Sequence, residues 1–416
     1  MSLIIDAVVT QHGEESAFLW LVRDRAARAP HYSLKDLAKL DDRVEAHVDG
    51  LRIAGEPGWE ICKEALGQEE AGEVFVASVL AFESAEDSRI EAVLEVGAKS
   101  YELSRGVVSA LGWIPYETLS GILDRFLKDD FSFLQRLGVA GSAIHRKDPG
   151  ALIGDFLESE DLLLLARALK AVGELRRQDF LGKVKASFSS EDLACRFYAG
   201  WAGALLGERA ALPVLQQLAL EPSPFQERAC AFALRGLGSD KALEWHRELV
   251  ANPELQRLAV QGVGAIGDPV LLPWLFEQML IPEVARVAGE SFSMITGVDL
   301  AYDDLDGEWP EGFEAGPTED PDDENVEMDA DEDLPWPNVE LLQQWWHGHK
   351  QDFQNGTRCL CGPVMTIGSL NRVLRTGFQR QRIAAAMELA IHQPGKPLFN
   401  NSAPGFVQQR LLGKGS

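Results

Sequence analysis

Cys359-Leu360-Cys361, with His347 and His349 shortly before it, places soft metal ligands close together in the chain. A zinc knuckle would gather such thiolates and imidazoles into a tetrahedral set. Structural zinc sites usually separate paired cysteines by two to four residues, and Cys-x-Cys is a poor match. A disulfide within the pair has unsuitable geometry. Buried thiols are therefore expected here. His347-Gly348-His349 falls at the end of a predicted helix, where a cation favours the dipole, so capping is expected of it. The acidic runs Asp303-Asp304-Leu305-Asp306 and Asp329-Ala330-Asp331-Glu332-Asp333 raise calcium as a ligand. An EF-hand loop closes on Glu at its twelfth position. Counting from Asp299, that position is Pro310, so a solvated linker is expected. Cys195 and Cys230 have apolar neighbours in predicted helices and read as core residues, not nucleophiles. The sequence holds no Gly-rich phosphate loop, Gly-x-Ser-x-Gly elbow or His-Glu-x-x-His. The expectation is no catalytic residue, no cofactor and no metal.

Residues suited to gripping another protein are easier to name. Trp345 and Trp346 are adjacent and so point to different sides of a helix. One packs inward and the other is exposed, unless the tail's own fold buries both. A following helix carries Arg372, Arg375, Arg380 and Arg382. Trp and Arg dominate binding hot spots. The candidate protein-binding set is Trp345, Trp346, Arg375, Arg380 and Arg382. The same arginines can instead dock on the acidic remainder of the chain, and docking within the molecule is the favoured expectation.

These residues must be positioned by helices. A phrase recurs in mid-chain: Val172-Gly173-Glu174, Leu206-Gly207-Glu208, Leu237-Gly238-Ser239 and Ile266-Gly267-Asp268. Its glycines are 34, 31 and 29 residues apart (207−173, 238−207, 267−238). A period near thirty with two helices per unit is the mark of an α-solenoid. The alternative is a non-repetitive helical bundle. In Ala259–Asp268 small residues allow close helix approach, Gly267 can end a helix in the left-handed region, and Pro269 suits the next first turn. Ser189-Ser190-Glu191-Asp192 and Ser223-Pro224-Phe225-Gln226 match the capping-box pattern. The four glycines are expected at equivalent turns.

Four regions follow: an N-terminal helical region, 1–115; HEAT-like repeats, 116–298; an acidic linker, 299–337; and a basic helical C-terminal module, 338–416. In the first, 34–44 and 73–83 read as helices, with Gly50 and Gly55 as punctuation. In the last, 339–353 and 369–391 do. Charge sharpens the division. Residues 338–416 hold nine Lys/Arg against three Asp/Glu, a net +6; residues 299–333 hold seventeen acids and no base, −17; the body carries the remaining −15 of the total −26. The linker has too little apolar surface to offset its ordering entropy, so 303–335 is expected to lack regular structure. An acidic body repels nucleic acid and anionic membranes. No run of eighteen apolar residues spans a bilayer, and the first residues lack a signal peptide's basic segment. Five scattered cysteines suit a reducing compartment. A cytoplasmic protein, bound to neither nucleic acid nor membrane, is expected.

Residues 116–298 resemble HEAT-repeat proteins in general. Nearly the whole chain resembles one poorly characterised bacterial family of HEAT-like proteins. The phrases that carry this are Leu37-Ala38-Lys39-Leu40-Asp41-Asp42-Arg43-Val44 and on to Leu51, Gly72-Glu73-Val74-Phe75, Ser109-Ala110-Leu111-Gly112-Trp113, Phe292-Ser293-Met294-Ile295-Thr296-Gly297, Gln379–Ala390, and Pro397-Leu398-Phe399-Asn400. That family is often encoded near type VI secretion genes, beside spike and effector genes. The resemblance implies an all-α fold and a non-catalytic adaptor that helps load effector or spike components, with a protein as its partner. The alternative class is a HEAT-like enzyme of lyase or repair type, which would need convergent titratable groups on its concave face.

Overall fold

A computed structural model describes residues 5–317 and 328–413, and among them it is built from 22 α-helices with no β-strand. The architecture is all-α, with helices stacked in adjacent pairs as a solenoid requires. The chain divides into two compact units, Met1–Leu206 with Pro394–Ser416, and Gly207–Gln393. Residues 338–416, read from the sequence as one module, are thus shared between the two. No described helix is long and apolar enough to cross a membrane.

In chain order the first unit holds α1 (Asp6–Ala26), α2 (Leu34–Ala54), α3 (Glu56–Ala65), α4 (Ala71–Ser84), α5 (Asp87–Gly97), α6 (Tyr101–Trp113), α7 (Tyr116–Leu127), α8 (Ser132–Ile144), α9 (Leu152–Phe156), α10 (Leu162–Leu175), α11 (Leu181–Ala186) and α12 (Leu193–Leu205). The even-numbered helices from α4 to α12 contact one another in succession and form one layer; the odd-numbered helices between them form the other. Sequence explains the layering. α4 is apolar on nearly every side, and its residues from Val74 to Phe82 are buried; a helix apolar all round belongs in a core. α7 instead keeps one apolar stripe, Leu119, Ile122, Leu123 and Phe126. Glycine sets the closest approach. A Cβ on Gly72 would lie 2.6 Å from the Ala17 carbonyl oxygen, so α4 meets α1 backbone to backbone. Trp20 stacks on Phe75, with ring centres 5.4 Å apart, and Trp113 meets Phe75 edge-on. Burying such side chains stabilises by about 1.5–3 kcal/mol each.

The second unit holds α13 (Ala211–Leu220), α14 (Gln226–Gly236), α15 (Ser239–Val250), α16 (Gln256–Ile266), α17 (Leu272–Gln278), α18 (Pro282–Thr296), α19 (Val339–His349), α20 (Ile367–Thr376) and α21 (Gln379–His392). Helices α14, α16 and α18 form its inner layer. The last helix, α22 (Gly405–Gly413), lies against α2 in the first unit.

Several sequence expectations are corrected here. The four phrase glycines are not equivalent. Gly207 and Gly267 have φ of +85° and +75° and follow helix ends, Gly238 is the N-cap of α15, and Gly173 sits inside the last turn of α10. Gly173 is small for a different reason, because the Trp201 ring of α12 lies where its Cβ would be. Neither proposed capping box forms. Asp192 caps α12 through the Cys195 N–H, and Gln226 donates to the Ala219 carbonyl. The boxes that do form are Ser33 with Asp36 and Thr366 with Ser369. Gly50 does not interrupt α2; it admits the His12 ring. The helix expected over 369–391 is two helices, divided at Gly377-Phe378, where Gln381 turns back to accept from the Phe378 N–H.

One buried histidine gives the second unit an acid sensitivity. His246 of α15 donates from Nε2 to the Ala259 carbonyl at 3.1 Å and meets the Trp274 ring edge-on. Burial pushes its pKa down from 6.5 to about 4. Below pH 6.5 the unfolded chain binds a proton that the folded site refuses, so stability is full above that pH and falls toward pH 4. Between pH 7 and 4.5 this side chain should cost the second unit about 2 kcal/mol. Urea unfolding at both pH values checks this: His246→Gln, neutral throughout, should flatten the difference by that amount.

Candidate protein-binding site

Arginine occurs in the inner helices with the solenoid's own period. Arg105 (α6), Arg136 (α8), Arg167 (α10) and Arg196 (α12) are 31, 31 and 29 residues apart (136−105, 167−136, 196−167); Arg228 (α14), Arg257 (α16) and Arg286 (α18) follow at 32, 29 and 29. In the first unit these side chains are held largely by the helices. Arg105 binds Glu102 and Asp24, Arg136 reaches the Ser104 hydroxyl at 3.3 Å, and Arg167 binds Glu174 at 3.0 Å. Arg196 donates to the Ser190 carbonyl. In the second unit Arg257 and Arg286 are held differently, by a non-helical acidic segment. Arg257 forms a two-pronged pair with Asp331 at 2.5 and 2.8 Å, and Arg286 with Asp329 at 2.7 and 2.8 Å. Planar fork-to-fork pairing of this kind adds geometric specificity to charge. The Arg286 guanidinium also lies over the Trp309 ring at 4.8 Å and near Trp336 at 5.8 Å. Its hydrogen bond to Asp329 holds that carboxyl below the usual range.

The expectation of a solvated linker over 303–335 is therefore corrected where the chain is described. No helix or strand forms in 303–317 or 328–335. Asp331 and Leu334 are nevertheless buried, and Gly307 N–H donates to the Trp336 carbonyl at 2.8 Å. Arg257 and Arg286 draw in the acids that composition alone assigned to water. Residues 318–327 of that expectation lie outside the described residues.

Each candidate side chain has a definite place. Trp345 and Trp346 of α19 are both half-buried. Trp345 meets Phe292 edge-on at 5.7 Å and stacks on His349 at 4.3 Å, while Trp346 meets Phe353 at 5.4 Å. His349 donates from Nδ1 to the Trp345 carbonyl, satisfying an end of α19. Arg375 is exposed on α20. Arg380 pairs with both oxygens of Glu290 at 2.8 and 2.9 Å. Arg382 is corrected outright: it is 0% exposed, donates to the Leu374 carbonyl and Gln379, and burial pulls its pKa down to about 10. It supports the α20–α21 junction and is not available as a surface contact.

The cysteine segment closes helix ends. Cys359 N–H donates to the Gly267 carbonyl at 2.7 Å, Cys361 N–H to Met294 at 2.8 Å and Gly362 N–H to Ile295 at 2.9 Å. Those carbonyls end α16 and α18, where helices lack internal partners. Arg358 adds bonds to the carbonyls of Ala265, Ile266 and Arg235. Burial pushes the Cys361 thiol up to about 12. Cys195 and Cys230 are buried, and burial raises both thiols as well. No group of three or more His, Cys, Asp or Glu is arranged around a common metal position among the described residues.

A further surface was missed by sequence reasoning. In the first unit Asp161 at the start of α10 bonds Ser132 of α8, and Cys195 of α12 approaches the Leu162 carbonyl, so these helices start along one edge. Tyr101, Phe131, Leu162 and Leu163 at that edge are all exposed. The available signal was a large apolar residue at each helix start, one repeat apart: 131−101 is 30 and 162−131 is 31. No protein-family model matches the chain, and a search of curated proteins finds no match.

Proposed function

We propose that the chain is a non-catalytic scaffold whose stacked helices hold another protein. The carrying observation is the row Tyr101, Phe131, Leu162 and Leu163, large apolar side chains left in water along the starts of adjacent helices. Clustered exposed apolar residues are characteristic of protein interaction surfaces, and helical solenoids present extended faces to partners. The resemblance to HEAT-like proteins encoded beside type VI secretion genes supports a partner among effectors or spike components, met in the cytoplasm. The strongly acidic chain supports a protein over nucleic acid or an anionic membrane.

The test is a variant with Tyr101→Asp, Phe131→Asp and Leu163→Asp in the source bacterium. All three positions are exposed, so folding should be retained within about 0.5 kcal/mol per site. Effector delivery should fall to the level of a strain lacking the protein. Full delivery by the folded variant would remove the row from the account.

A further inference from the structure

We propose that Arg257 and Arg286 form a binding site for an acidic peptide of the pattern Asp-x-Asp-x-x-Leu, and that the chain's own Asp329, Asp331 and Leu334 occupy it. This deepens the scaffold reading and rests on it. The two guanidiniums belong to successive inner helices, 29 residues apart (286−257), so their spacing is set by the repeat. The two carboxylates are two residues apart in a segment with no helix or strand. Each takes one guanidinium through two hydrogen bonds. The segment holds its own shape: Asp331 N–H donates to Asp329 Oδ1 at 2.9 Å and Leu334 N–H to the Asp331 carbonyl at 2.8 Å. Leu334 then enters the apolar cluster that contains Val260, Val287 and Phe292. Two fixed charges and one aliphatic anchor are a recognition pattern that another protein's acidic segment can reproduce.

The seated segment differs from the partners of the first unit's arginines. Arg105, Arg136 and Arg167 are satisfied by side chains of helices, which cannot leave without unfolding. The 328–334 segment has no helical hydrogen bonds to lose. Attachment to the chain gives it an effective concentration in the millimolar range. A competing acidic peptide must therefore bind more tightly or arrive when that advantage is reduced. The net charge of −26 opposes such a peptide at long range, so recognition depends on the short paired contacts.

The probe is a fluorescent synthetic peptide of residues 328–337, followed by anisotropy with the full chain. Asp329→Asn with Asp331→Asn should raise its affinity at least tenfold over the unaltered chain. Adding Arg257→Gln and Arg286→Gln should abolish that gain, and a peptide with both aspartates replaced by asparagine should not bind. In a second form, a protease site placed within 318–327 is cut after folding; cutting one attachment should likewise allow the peptide in. Affinity unchanged by both routes, or a gain that survives loss of the arginines, overturns the proposal. Binding in this assay requires no secretion partner. A peptide that binds while the Tyr101 row proves dispensable leaves this site standing, and the reverse outcome leaves the scaffold without it.

Discussion

Glu388→Ala should destabilise the second unit by about 3–5 kcal/mol, the usual cost of removing one partner from a buried ion pair. Glu388 lies on α21 and is 0% exposed. Its Oε1 accepts from Arg235 of α14 at 3.0 Å and from Arg358 at 2.7 Å. Burial alone would raise this carboxyl, but His392, Arg358 and Arg235 together hold it below the usual carboxylate range. Removal leaves two guanidiniums facing each other in a poorly solvated space. The damage spreads because Arg358 also closes the carbonyl ends of α14 and α16. Glu388→Gln keeps an acceptor and should cost less than the alanine. Glu388→Ala combined with Arg358→Ala should cost less than the sum of the two, since they share one network. Urea unfolding followed by tryptophan fluorescence reads all three.

Asp41→Ala should have a comparable effect on the first unit, about 3 kcal/mol or more. Asp41 is 0% exposed in α2; it accepts from Arg23 at 2.9 Å and from the Gly405 N–H. Arg23 in turn donates to the carbonyls of Ser402 and Ala403. One carboxylate thus joins α1, α2 and the returning C-terminal segment. Burial raises the Asp41 pKa despite Arg23, so the charged pair is held at a cost that the other contacts offset. Asp41→Asn keeps an acceptor and should be milder. The alanine variant should also expose residues 400–413 to protease, because α22 starts at Gly405, whose missing Cβ lets it press on the Ala38 backbone. Unfolding shifts without new cleavage there would show that the segment is held by other contacts.

The all-helical class and the helix pairs were legible, because apolar spacing in segments such as 73–83 depends on local sequence alone. The closing segments were not. Cys359, Cys361 and Gly362 act through backbone N–H groups, which have no residue signature, and their partners lie 60 to 90 residues away. Leu398, which donates to the Glu174 carbonyl, is equally silent in sequence. Asp329 and Asp331 read as solvated because composition does not reveal two arginines waiting one repeat apart. That arginine period was available; attention to the glycines hid it. Arg382 was misplaced because an Ala-rich helix gives little sign of which face is buried, and Ala384, Ala385 and Ala386 are all interior. The adjacency of Trp345 and Trp346 did predict divergent directions, and they pack on Phe292 and Phe353 respectively.

The central claim is that the exposed edge of the first unit holds a protein. A photo-crosslinking amino acid placed at Leu163 in the source bacterium tests it most directly. The account predicts a discrete adduct containing an effector or spike component, absent when the label sits at Ile53, an exposed position on α2 away from that edge. No adduct at Leu163 in cells actively assembling the secretion machine, or the same adduct from Ile53, would contradict it.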